Sequence, residues 1–156
     1  PSRRERFEVL AGRERELFAR SLTDRAGEFE ERYGFHPEGG VLDMAVQRMI
    51  DQGTDEEEAV RYFSGLLAGV ERFTSSFREK HSLAIAFTAE ARDRLLEQVA
   101  TEGDAEALCR RLFSNYPLGL QLLHEKTGKE SFELDRYAVE EPDARLDRMI
   151  KENYEV

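Results

Sequence analysis

Cysteine is almost absent. Cys109 stands alone in 156 residues, which excludes an internal disulfide and fits a reducing, cytoplasmic compartment. Long apolar runs are missing too, since none approaches the roughly 18 residues that cross a bilayer. There is no excess of positive charge. Lys and Arg number 23 against 33 Asp and Glu, a net charge of −10. Displacing phosphate counterions takes clustered cations, so this balance argues against nucleic-acid binding, and equally against docking on an anionic membrane. The sequence starts at Pro1 with no initiator Met and no signal peptide, the form of a piece of a longer protein.

Most motifs that carry chemistry are missing as well. A phosphate-binding loop needs G-x-x-x-x-G-K-[ST], so that backbone amides cradle phosphate and a hydroxyl holds magnesium. The only Gly-Lys pair, Gly128-Lys129, is followed by Glu130 and preceded five positions earlier by Leu123, which reads as a turn. No G-x-G-x-x-G occurs. His36, His81 and His124 fall in three separate segments with no H-x-x-x-H, so the sequence offers no metal site. Acidic pairs such as Glu30-Glu31 and Glu140-Glu141 occupy adjacent positions that point apart on a helix. Cys109, between Leu108 and Leu112, reads as a core position and not as a catalytic thiol. No catalytic residue is assigned, and no cofactor is expected in this chain.

What the sequence does have is material for a core. It is 40% hydrophobic and 10% aromatic, and its 36% charged residues carry both signs. The acid excess is local: residues 41–75 hold 3 basic and 7 acidic groups, and residues 124–156 hold 6 and 10. Solvated helix faces account for this, as would a surface that meets a basic partner. Phe7, Leu10, Ala11, Leu17, Phe18, Leu22, Ala26, Phe29 and Tyr33 recur at spacings of three, four and seven, which predicts one long helix ending at Gly34. A turn at Pro37, Gly39 and Gly40 leads to a second helix bearing Val41, Leu42, Ala45, Val46, Met49 and Ile50, stopped by Gly53. Thr54 is placed to cap a third helix whose first turns carry Asp55, Glu56, Glu57 and Glu58, where the helix dipole favours acid. The helical pattern resumes through Leu66, Leu67, Val70, Phe73 and Phe77 after a break expected near Gly65.

At Leu83, Ile85 and Phe87 the period switches to two, which predicts a strand over 83–87. Thr88 then caps a helix with Ala91, Leu95, Leu96 and Val99 inward, stopped by Gly103. A short helix over 104–113 turns Leu108 and Leu112 inward. Pro117 interrupts before Leu118–Leu123, and 127–129 is a turn. A second strand over 131–135 supplies the partner that the first one needs, because a lone strand leaves its backbone unpaired. Pro142 opens a last helix with Leu146, Met149, Ile150 and Tyr154 apolar. The expected fold is mainly α-helical, a helical bundle with one small two- or three-stranded sheet. Its expected core is Phe29, Val46, Ile50, Phe63, Phe73, Phe77, Phe87, Leu95, Leu112 and Leu120. A weak repeat is visible: Phe63-Ser64 before Gly69 parallels Phe113-Ser114 before Gly119, and Gly53 parallels Gly103. Duplication and chance matching between amphipathic helices both account for it.

Residues 70–135 contain the order Phe77-Arg-Glu-Lys-His81, strand Leu83-Ala-Ile-Ala-Phe87, Thr88-Ala-Glu-Ala91 opening a helix, the Gly103 stop, and a helix with Arg110 and Arg111. This resembles the small C-terminal lid subdomain of Clp-type AAA+ ATPases, the ClpX and HslU group of protein unfoldases. On that resemblance the chain divides into a helical region 1–73, which duplication would make a degenerate repeat, and a lid-like subdomain 74–156. The resemblance implies rigid-body movement against a large ATP-binding subdomain or a neighbouring subunit, with ATP and magnesium held in the intact parent. It implies nucleotide-sensing roles for Arg110 and Arg111, although the family's arginine falls at Ala105 here. The second reading is an independent helical adaptor that binds another protein in a groove between helices.

Overall fold

The computed structural model describes residues 2–154, and the side chain of Phe7, a member of the first stripe, lies outside the described residues. The chain forms two compact units, Pro1–Gly65 and Leu66–Val156.

The first unit begins with α1 (Arg3–Asp24). Ser2 and Glu5 cap it reciprocally: Ser2 Oγ accepts from the Glu5 N–H at 3.2 Å, and the Glu5 carboxylate accepts from the Ser2 N–H at 3.0 Å. The expected single helix is divided at Arg25 (φ −97°, ψ 4°), and α2 (Ala26–Tyr33) follows. Carboxylates on both sides hold the break, with Arg25 3.2 Å from Glu28 and 3.0 Å from Glu56. Ala26 and Phe29 are buried just beyond it, so tertiary packing outweighs the continuous period. The first half of the stripe is also corrected. Leu10 and Leu17 are each 62% exposed, and burial in α1 starts in earnest at Leu22. Periodicity sets which face of a helix can be covered; it does not supply a neighbour to cover it.

In α3 (Gly39–Gln52) Val41, Ala45, Val46 and Met49 are buried, and Gly53 ends the helix in the left-handed region. Next comes α4 (Glu56–His81). Its cap is Asp55, whose carboxylate accepts from the Glu58 N–H at 2.9 Å, and not Thr54, whose buried hydroxyl accepts from no backbone N–H of the helix among the described residues. The expected break at Gly65 does not occur. An interior glycine costs a helix only about 1 kcal/mol, and burial of Val60, Phe63, Leu66 and Val70 on either side outweighs it. The three glutamates that open α4 do more than face the dipole. Glu56 pairs with Arg25, Glu57 with Arg32, and Glu58 with Arg48, which also lies 3.5 Å from the centre of the Tyr62 ring.

The second unit contains the rest of α4 and the sheet. β1 (Ala84–Phe87) follows Ser82, a non-glycine residue at φ 59°. Then come α5 (Ala89–Glu102), α6 (Ala105–Leu112) and α7 (Tyr116–Thr127), then β2 (Ser131–Leu134), α8 (Arg136–Glu140) and α9 (Pro142–Tyr154). The strands pair in parallel with Ile85 opposite Phe132 and Phe87 opposite Leu134, closed by Ala84 N–H to Glu130 O and Thr88 N–H to Leu134 O. A parallel pair needs a long crossover, and α5, α6 and α7 supply it. The fold is thus mainly α-helical with one small two-stranded sheet, as the switch of period predicts. The Thr88 cap, accepting from Ala91 N–H at 3.1 Å, and the left-handed Gly103 stop stand where expected. Pro117 lies in the first turn of α7 and does not interrupt a helix. The helix α8, capped by Asp135 accepting from Ala138 N–H, is an addition to the expected elements.

α5 packs on α6 and α8, and α7 on α9. Among the expected core residues, Phe29, Val46, Phe63, Phe73, Phe77, Leu95 and Leu120 are buried. Ile50, Phe87 and Leu112 are only half-buried, because each lies at or near the end of its element, where neighbours run out. No helix among the described residues is long and apolar enough to cross a membrane.

Candidate functional site

Arg110 and Arg111 are adjacent on α6, so their side chains diverge by about 100° around the helix. Arg111 turns back to the end of α5, where its guanidinium donates to Glu102 at 2.7 Å. Arg110 is exposed at the mouth of a cleft of about 180 Å³. The structure therefore separates the two arginines that the sequence groups together.

The cleft is built from α4, α6 and the start of α7. Phe73, Phe77 and Lys80 share one face of α4 through their spacing of four and three, and Ser76 lies beside them. From the other side come Glu106, Arg110, Phe113, Ser114 and Pro117. The floor is aromatic: Phe113 is 5.9 Å from Phe73 and stacks edge-on to the buried Tyr116 at 5.0 Å. His81 lies over Phe77 at 4.7 Å. The rim is cationic. Lys80, His81 and Arg110 make no ion pair among the described residues, while the one acid of the lining, Glu106, is engaged by Arg72 at 3.5 Å. The sequence reading gives Lys80, His81 and Phe113 no role in a site. Helical spacing along each segment puts each on one side of its own helix, but which two helices meet is a tertiary fact.

Ala105, where the resemblance to the Clp lid would put an arginine, is buried and faces bare backbone. A Cβ on Gly69 would come within 2.9 Å of the Ala105 Cβ. This position is a contact between helices. ATP with magnesium does not fit the cleft as a resident group. One arginine and one lysine provide no cradle of backbone amides, and the described residues contain no cluster of acids or histidines to hold a metal. His36 is engaged by Glu30, and His124 by the Lys129 carbonyl. Cys109 is fully buried, and burial pushes its thiol up to about 12, so it is not a nucleophile at neutral pH. No protein-family model, no curated protein and no solved structure matches the chain.

Proposed function

We propose that residues 66–156 are a lid-like module of a Clp-related AAA+ ATPase, one that works by packing and does not itself touch nucleotide. The observation that carries this reading is the element order: a long helix runs into a short strand, a Thr88-capped helix, a Gly103 stop and a further helix, and the chain returns to pair a second strand beside the first. That order supports the resemblance of residues 70–135 to the Clp lid. The buried Ala105–Gly69 contact favours a mechanical role over nucleotide sensing. In this reading the module catalyses nothing. Its partners are a large ATP-binding subdomain or a neighbouring subunit in the cytoplasm, and ATP and magnesium belong to the intact parent. The cation-rimmed cleft favours the second reading, a protein-interaction domain.

Calorimetric titration of the purified chain with magnesium-ATP, with an assay of phosphate release, tests the mechanical role. No hydrolysis and no saturable heat up to about 1 mM are expected. Micromolar binding lost in an Arg110→Ala, Arg111→Ala variant would overturn it. The gene tests the lineage. A phosphate-binding loop upstream of Pro1 in the same reading frame supports the lid reading, and a reading frame opening beside Pro1 supports the adaptor.

A further inference from the structure

The cleft between α4 and α6 has a property that a lid does not require. Its floor is three phenylalanines, Phe73, Phe77 and Phe113, and its rim carries Lys80, His81 and Arg110 without acid partners among the described residues. In a chain of net charge −10, Lys80 and Arg110 are two cations that no carboxylate engages among the described residues, whereas Arg72 is taken up by Glu106. A volume of about 180 Å³ is that of one large apolar side chain. The two cations that line it, Lys80 and Arg110, come from the last turn of α4 and from α6.

We propose that this cleft docks a short acidic segment of another protein, which inserts one aromatic or leucine side chain between Phe77 and Phe113 and sets carboxylates against Lys80 and Arg110. The chemistry of each part selects this occupant. The apolar floor rewards a buried side chain, which water would otherwise solvate poorly. Cations on two separate helices reach carboxylates on both sides of that anchor, so the ligand extends past the mouth in two directions, as a peptide does and a compact anion does not. Glu106, held by Arg72, repels a carboxylate that enters too deep, and Ser76 and Ser114 supply hydroxyls that bond to a peptide backbone. The inference goes beyond the lid reading and holds whether or not an ATP-binding subdomain accompanies the chain.

Fluorescence polarisation of the full chain with a labelled peptide of Asp and Glu around a single central Phe tests it. Saturable binding is expected. Replacing the central Phe by Ala weakens it on the order of thirtyfold, and a Lys80→Glu, Arg110→Glu variant weakens it about tenfold or more. Both substituted positions are exposed, so the variant keeps its circular-dichroism melting curve. Equal binding of the Phe and Ala peptides would reduce the site to surface charge and overturn the proposal, as would an unaffected variant or no binding up to about 1 mM. Displacement of the peptide by micromolar magnesium-ATP would overturn it in favour of a nucleotide. Sedimentation showing a dimer of the chain that the variant dissolves would overturn it in favour of a second copy.

Discussion

At the scale of single residues, the second unit depends on one aromatic cluster. Phe113 meets Phe73, Phe87 and Tyr116, with ring centres 5.9, 5.5 and 5.0 Å away. Tyr116 is fully buried, and its hydroxyl donates to the Pro142 carbonyl at 2.9 Å, tying the start of α7 to the start of α9. Burial pushes its phenol well above the usual tyrosine range, so it remains a donor throughout the physiological range. Tyr116→Phe keeps the ring and leaves the carbonyl without its partner. The expected loss is about 1–2 kcal/mol, read as a lower urea midpoint with an unchanged slope. An unchanged midpoint would mean that water replaces the phenol at no cost. Tyr116 itself is not legible in the sequence, because Asn115 and Pro117 beside it read as loop and its apolar neighbours are three-dimensional.

At the scale of elements, contacts between helices decide what periodicity leaves open. The α4–α6 contact is close because Gly69 has no side chain, and a Cβ there would lie 2.9 Å from that of Ala105. Gly69→Ala gains up to about 1 kcal/mol in helix propensity, yet it must push two helices apart, and overpacking of this kind costs about 1–3 kcal/mol. Net destabilisation is expected, with partial rescue by Ala105→Gly in the same chain; a midpoint that rises in the single variant would show the contact to be slack. In the first unit, glutamates of α2 and α4 bind their arginines through charge. The Arg25 guanidinium holds the Glu28 carboxyl below its usual range, Tyr33 and Arg32 do so for Glu57, and Arg48 for Glu58. Carboxyls lowered in the folded state contribute stability that is present above their unfolded value of 4.5 and is lost as pH falls through the lower folded values. Thermal midpoints should therefore fall between about pH 5 and pH 3, and a Glu57→Gln, Glu58→Gln variant should start lower at pH 7 and decline less. Parallel curves would separate these pairs from acid stability. The strands, the caps at Thr88, Gly103 and Pro142, and most of the core were readable, because each depends on residues close in sequence. The division at Arg25, the continuity through Gly65 and the cleft were not, since each is decided by a partner 31 or more residues away, such as Glu56 for Arg25, or by the meeting of α4 with α6. Of the cleft, the sequence marked Phe73 and Phe77 as core and gave a functional role to Arg110 alone.

At the scale of the whole molecule, the field is negative and the cleft is a local exception to it. Residues 41–75 and 124–156 hold most of the acid excess, so a polyanion approaching from a distance meets repulsion, whereas a short ligand with an apolar anchor has a second source of binding energy. This separates two classes of acidic partner that the cationic rim alone does not. Duplex DNA presents one negative charge per about 1.7 Å and binds through the number of phosphates neutralised, so two rim cations, Lys80 and Arg110, in a chain of net charge −10 offer little counterion release. A labelled duplex should show no saturable change in polarisation with the full chain at about 0.1 M salt. Under the same conditions the acidic peptide with its central Phe should bind, and the two ligands should not compete. Saturable DNA binding whose affinity falls steeply with salt, and which the Lys80→Glu, Arg110→Glu variant abolishes, would make the rim a phosphate-backbone surface. The phenylalanines beneath it would then be packing for the helices alone.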